Sequence, residues 1–244
     1  MAWQPLVAVV LFIGGSLLLG LRLLRVGWTT GQLPELLMGI AFFTGGGIGA
    51  TLQFLAQFPE LLPPVFSGAT LAFGRLCVHV GILCQASFTW VVFRPHSTAA
   101  RALLAGLTLA FVAASIGTAA QGGIGDPAYS GFWFWLEGAA AVAAISWGAL
   151  EALRWHVLMR RRLRYGLADP LVVNRFLLWG TALGAGVLAS AVDPVIHALG
   201  VDATTTRPLI GVAAGLGTVA ALGIALTFFP PAWYRARVRG AAVA

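Results

Sequence analysis

Residues 67–93 read SGATLAFGRLCVHVGILCQASFTWVVF, an apolar run of 27 residues in which Arg75 is the one formally charged side chain. A helix needs about 20 residues, at a rise of about 1.5 Å each, to cross a hydrocarbon core of about 30 Å. This stretch therefore predicts a membrane-spanning helix. An arginine at membrane depth usually faces other helices and has a partner, so the stretch also predicts a bundle around it.

Six further segments have the same character. Hydrophobic residues make up 59% of the 244-residue chain, charged residues only 9%, and the mean hydropathy is +0.89. Water-soluble domains carry about a quarter charged residues. We therefore predict an all-α membrane protein, a single domain of seven transmembrane helices in one bundle. The segments lie near residues 6–24, 35–58, 67–93, 100–120, 131–155, 171–199 and 208–229.

The arginines predict the direction of the chain, because arginine-rich loops tend to stay in the cytoplasm. Arg75 lies within a helix and Arg207 in a loop predicted to be outside. The other thirteen of the fifteen arginines fall on one side: Arg22, Arg25, Arg94, Arg101, Arg154, Arg160, Arg161, Arg162, Arg164, Arg175, Arg235, Arg237 and Arg239. The N-terminus is predicted outside and the C-terminus in the cytoplasm, in the plasma membrane, which for a bacterium is the inner membrane.

The basic residues also limit the chemistry of the chain. Its net charge of +7 follows the predicted topology, so the lipid bilayer rather than nucleic acid is the expected partner. Every basic residue is arginine, and without a lysine no Schiff base to retinal can form. Covalent retinal is thereby excluded, and no cofactor is predicted. Cys77 and Cys84 lie about 10 Å apart along one helix, too far to form a disulfide.

An internal repeat is a further expectation. A shift of 136 residues places the first three helices on the last three, and then Pro34 meets Pro170 and Gly81 meets Gly217. The fourth helix becomes a linker between two parallel triplets. In this 3+1+3 topology the chain resembles the architecture of the transporter, opsin and receptor superfamily, which includes sugar-transporting and rhodopsin-like proteins. The resemblance covers the whole chain but no family motif, so it carries over no functional residue.

Charged and polar residues in the outer half of the helices predict a buried polar cluster. Arg75 and His79 are one turn apart on the third helix and share a face. Glu137 and Asp193 lie at a similar depth on the fifth and sixth helices, and Gln53 on the second. One interpretation is a ligand pocket open to the outside, with Glu137 or Asp193 as counter-charge to Arg75. The other is a structural ion pair between helices.

A second polar group is predicted at the cytoplasmic ends of the helices. Glu151 lies on the fifth helix and Asn174 and Arg175 lie one turn into the sixth, so a pairing of Glu151 with Arg175 would clamp the two helices. Charges at this depth also reach water by extending along the helix. The run from Arg160 to Arg164 is expected to attract anionic lipid, and a cytoplasmic protein partner at this basic face is an alternative.

The glycines at 45, 46 and 47 form the most unusual feature of the second helix, in the stretch Thr44 to Gly49. Small residues four apart let helices approach closely, and close packing is the first interpretation. The alternative is a hinge or an unwound stretch that lines a cavity, as in the discontinuous helices of transporters.

These features favour a receptor-like or sensory protein that binds a small ligand in an outward-facing polar pocket. The alternative is a transporter or channel for a small solute. An intramembrane metal-dependent hydrolase would need ligands such as His79, His197 and Asp193 at matching depth. The chain has no nucleotide-binding loop and no serine nucleophile motif, so an enzyme is not predicted.

Overall fold

The computed structural model describes residues 3–56, 64–126, 129–200 and 203–240. The side chains at 3–6, 8, 64, 65, 193, 203–207 and 210 lie outside this description. Throughout the described residues the regular structure is helical. The α-helices are α1 Trp3–Thr30, α2 Leu33–Ile40, α3 Ala50–Ala56, α4 Pro64–Phe93, α5 Thr98–Ala120, α6 Phe132–Leu163, α7 Pro170–Leu199, α8 Ala203–Phe228 and α9 Ala232–Gly240. A π-helix, Ala41–Gly49, joins α2 to α3.

Seven helical segments of the described chain are long and apolar enough to cross a membrane, as the sequence predicts. The second is the composite of α2, the π-helix and α3, and the others are α1, α4, α5, α6, α7 and α8. Large apolar side chains also cover the outer surface: Leu18, Leu109 and Leu150 are 72%, 69% and 67% exposed. Many exposed large apolar side chains on membrane-length helices are typical of helices that face lipid.

Two helices run further than their apolar segments. α1 continues past the predicted end at residue 24 to Thr30, and α6 continues past residue 155 to Leu163. Hydropathy finds only the part of a helix that fits the hydrocarbon, whereas these extra turns contain arginines. Arg160, Arg161 and Arg162 lie in the last turn of α6, where positive charge stabilises a helix end.

The junctions between helices follow local sequence signals. Asp169 caps α7, since its Oδ1 accepts a hydrogen bond from the Leu171 amide at 2.8 Å, and Pro170 occupies the first turn. Ser97 caps α5 in the same way. At the other end of α7, Gly200 has a φ of 57°, which side chains with a Cβ rarely adopt. These short junctions force successive spans to run antiparallel.

The spans form a closed ring of six helices with one helix outside it. The order around the ring is α1, the second span, α4, α6, α7 and α8. Each of these helices packs on the next, and α8 packs on α1. α5 contacts α4 and α6 from the outside. The core inside the ring includes Leu23, Met38, Phe88, Trp179 and Ile224. α5 thus occupies the place expected of a linker between two triplets, while the repeat itself stays a prediction.

The ring has two ends, which we name by charge. The basic end is the one where α1, α4, α6 and α8 finish and where Arg94, Arg160 and α9 lie. The opposite end contains the start of α1 and of α6.

The π-helix packs against α4 through glycine. A methyl group on Gly81 would lie 2.8 Å from the Gly45 Cα and 2.9 Å from the Ala41 carbonyl oxygen, too close for either backbone. Gly46 and Gly47 are likewise closed in by Ser16 and Leu17 of α1. At the end of the π-helix, the Ala50 amide donates to the Gly45 carbonyl five residues earlier. The glycine stretch therefore combines close packing, the first interpretation made from the sequence, with a non-α backbone, and the hinge or cavity-lining stretch stays a prediction.

We expect Gly81→Ala to lower the free energy of unfolding by about 1–3 kcal/mol, because the new methyl overpacks a backbone-to-backbone contact. Thermal unfolding in detergent, followed with a thiol-reactive fluorophore at Cys77 and Cys84, measures it. Gly106→Ala on α5 is the matched control, since nothing lies within 4 Å of its added methyl. Equal melting temperatures for the two variants would contradict the glycine contact.

Candidate functional site

A histidine and a carboxylate meet between α4, α5 and α6. The Nε2 atom of His79 lies 2.9 Å from Oε1 of Glu137. The two atoms are at ion-pair distance, but the geometry does not satisfy the angular requirements of a hydrogen bond. Nδ1 lies 3.3 Å from the Ser115 hydroxyl, and the imidazole packs at 4.7 Å on the ring of Phe111. His79 is only 6% exposed, so the site holds a titratable pair inside the helical bundle.

Arg75 lies one turn before His79, and its contact in the described residues is with the backbone rather than with Glu137. Its Nη1 donates to the Gly123 carbonyl at 3.5 Å, in the connection after α5. Glu137, one of the two expected counter-charges, lies with Arg75 around a small recess, but its Oε1 lies beside His79. Spacing along α4 places Arg75 and His79 on one face, but does not predict which of them lies closer to the carboxylate. Within the described side chains, no carboxylate forms an ion pair with Arg75.

These groups line a cavity of about 350 Å³, which we call the polar cavity. It lies toward the opposite end, between α3, α4, α6, α7 and α8, with Phe111 of α5 also in its lining. Apolar walls such as Val78, Ile82 and Phe134 surround a few polar side chains, the usual composition of a small-molecule site. The polar lining consists of Gln53, Arg75, His79, Glu137, Ser190 and His197.

Four of the five residues predicted for a polar cluster thus line one cavity: Gln53, Arg75, His79 and Glu137. The fifth, Asp193, has a side chain outside the described ones. The metal ligands considered for a hydrolase were His79, His197 and Asp193, so one of these three side chains also lies outside the described ones. Among the described side chains, no three His, Cys, Asp or Glu residues come together as metal ligands.

Two features at or beside the polar cavity were missed from the sequence. Ser115 reaches His79 from α5, and a lone serine in an apolar helix gives little signal. Pro194 gives a stronger one, because it lies inside α7 and lines the cavity. Proline has no amide hydrogen, so α7 lacks the hydrogen bond that this position would donate to the Ser190 carbonyl. An Asp-Pro pair inside an apolar segment marks this irregular turn.

The predicted clamp at the basic end is wrong in its pairing. Glu151 does not pair with Arg175. Its Oε1 accepts a 2.7 Å hydrogen bond from Nε of Arg94, at the end of α4. Position along α6 sets the depth of Glu151, but not which neighbouring helix it faces. Asn174 instead donates to the Tyr234 hydroxyl of α9 at 2.7 Å.

Arg175 lines a second cavity, of about 370 Å³, which we call the basic-end cavity. Glu35 of α2 lines it as well, with a mostly aromatic wall. The two cavities approach each other along α4, where Ile82 lines the polar cavity and Phe88 the basic-end cavity. Six positions on a helix span about 9 Å.

Comparison of the chain with models of protein families, with curated proteins and with solved structures gives no match.

We expect Arg94→Gln to destabilise the protein by about 1.5–3 kcal/mol, because it leaves the 8%-exposed Glu151 without its charged partner. The double variant Arg94→Gln with Glu151→Gln should recover part of this loss, since it removes the buried charge as well. Melting temperatures in detergent measure both. Arg101→Gln, at an exposed position near the start of α5, is the control. A double variant whose loss equals the sum of the single losses would argue against the pair.

Proposed function

We propose that this chain is a receptor-like multi-pass protein that binds a small solute in the polar cavity. The supporting observation is the convergence of Arg75, His79, Glu137 and Gln53 on one cavity inside apolar helices. Ionisable groups are costly at membrane depth, and a functional role is their default explanation. In the proposed orientation the N-terminus is outside, the cavity faces the outside, and the basic end lies at the cytoplasmic side of a bacterial inner membrane.

The ligand proposed for this cavity carries an anionic group and a hydrogen-bonding group. Arg75 offers a guanidinium that has no carboxylate partner among the described side chains, and its planar donors match a carboxylate. Glu137 is already beside His79, which leaves Gln53 and Ser190 for the neutral part of the ligand. A volume of about 350 Å³ lies at the low end of small-molecule sites. A small organic acid or zwitterion fits this description.

A receptor must also transmit ligand binding to the cytoplasmic side, and we propose that α4 does so. The helix carries Arg75 and His79 at the polar cavity and is followed directly by Arg94, which holds Glu151 of α6. A ligand that draws Arg75 away from the Gly123 carbonyl would act on this helix. The output would pass to anionic lipid or to a protein partner at the arginines of α6 and α9.

Transport of the same solute is the second candidate function, and the basic-end cavity favours it. A barrier of about two helical turns separates the two cavities along α4. Gln85 lies between Ile82 and Phe88, and its amide donates to the hydroxyl of Thr89, one residue past Phe88, at 3.2 Å. Oε1 of Gln85 is buried and accepts no hydrogen bond from the described residues. Uptake of a ligand into proteoliposomes would support transport, whereas binding without uptake would support a receptor.

We expect small carboxylates and zwitterions to raise the melting temperature of the purified protein, and Arg75→Gln to abolish this rise. A ligand at 100 times its Kd stabilises by about 2.7 kcal/mol. A panel of organic acids, amino acids and neutral sugars, screened by thermal shift in detergent, measures it. Arg101→Gln should retain the full response. A stabilising ligand that acts equally on Arg75→Gln and on the unaltered protein would overturn the proposed site.

We expect a C-terminal fusion to green fluorescent protein to fluoresce in bacteria, and a fusion to alkaline phosphatase at the same position to be inactive. The reason is that the arginines at the basic end favour the cytoplasm. Fusions after Gly31, which joins α1 to α2, should behave in the same way. Active phosphatase at the C-terminus would reverse the proposed orientation.

A further inference from the structure

The basic-end cavity has features that the proposed receptor does not use. It lies between α1, α2, α4, α7 and α8, and its volume is about 370 Å³. Aromatic rings form much of its wall, including Phe88, Phe93, Phe176 and Phe228. Polar surface is scarce inside it. A cavity of this kind within membrane-spanning helices suits an apolar chain better than a hydrated solute.

A buried donor marks the same cavity. Trp179 is 3% exposed and lines it, and its ring stacks on Phe88 at 4.7 Å and meets Phe228 edge-on at 5.4 Å. The indole N–H donates to no acceptor in the described part of the chain. A buried tryptophan N–H usually finds a partner, because leaving it without one costs free energy. An ester or phosphate oxygen is an acceptor of the right kind.

The rim of the cavity is cationic on balance. Arg175 lines it one turn into α7, and the Arg22 guanidinium lies 3.8 Å from the ring centroid of Phe229, another lining residue. Glu35 is the one carboxylate in the lining. Within the lining, Arg175 and Glu35 balance, and Arg22, which lies outside the lining against Phe229, adds one positive charge beside it. The rim therefore complements a single negative charge at the end of an apolar chain.

We propose that the basic-end cavity binds an anionic phospholipid, with an acyl chain against the aromatic wall and the phosphate at Arg175. The chemistry requires both an acyl chain and an anionic group, and the membrane around the helices supplies such lipids at high concentration. The acyl chain of a zwitterionic lipid would also pack against the aromatic wall, but its neutral headgroup would leave the positive charge at the rim without a counter-charge. This site is independent of ligand binding in the polar cavity, so the failure of one proposal leaves the other standing.

The first test is the lipid that copurifies. The full chain is purified from membranes that contain phosphatidylglycerol and phosphatidylethanolamine, and bound lipid is identified by native mass spectrometry. We expect retained phosphatidylglycerol, and a loss of about fivefold in its retention for Arg175→Gln, since an arginine near an anionic headgroup contributes on this scale. Arg101→Gln, which lies outside the cavity lining, is the matched control and should retain as much as the unaltered protein.

The second test locates the acyl chain. Brominated phosphatidylglycerol should quench the tryptophan fluorescence of the unaltered protein, and Trp179→Phe should remove that part of the quenching. Val92→Phe narrows the cavity from a partly exposed lining position and should also reduce the quenching. Val92→Phe provides a second measurement of the same site if the Trp179→Phe variant does not fold. Equal lipid retention by Arg175→Gln and Arg101→Gln, retention of free fatty acid alone, or quenching in Val92→Phe as strong as in the unaltered protein would overturn the proposal.

Discussion

The packing of α4 against α6 includes a polar contact between side chains near each end of the ring. His79 meets Glu137 toward the opposite end, and Arg94 meets Glu151 at the basic end. The members of the two pairs lie fourteen or fifteen positions apart on their helices, which corresponds to about 21 Å. Two parallel helices joined at both ends in this way have one register. Loss of one partner would leave a buried polar or charged group without its contact, so both contacts favour this one arrangement of α4 against α6.

Close packing of small residues joins α4 to its neighbours between and beside these contacts. Gly148 of α6 leaves the space that Gln85 and Thr89 of α4 occupy. On the other side of α4, Gly81 and Gly45 bring the π-helix close enough for backbone contact. In lipid, helices associate through close packing and polar contacts rather than through the hydrophobic effect. Both cavities adjoin α4, so one helix connects the two proposed sites.

The sequence predicts the elements of this fold better than their contacts. Apolar length gives all seven spans, and Asp169-Pro170 gives the start of α7, because these signals are local. Depth along each helix is also local, and it places Gln53, Arg75, His79 and Glu137 at one level. Rotation about the helix axis and the choice of neighbour are not local. The sequence therefore assigns Glu151 to Arg175, although Arg94 is its partner, and it offers Glu137 or Asp193 to Arg75, although Glu137 lies against His79.

The π-helix has a geometric consequence for the second span. Hydrogen bonds that reach five residues back, as between Ala50 and Gly45, widen each turn by about one residue. Over nine residues, the helix that follows is rotated on the order of 100° or more from where an unbroken α-helix would place it. A helical wheel drawn from α2 through α3 therefore assigns Gln53 to a wrong angle. The azimuth at which this amide enters the polar cavity is set by the glycine stretch before it.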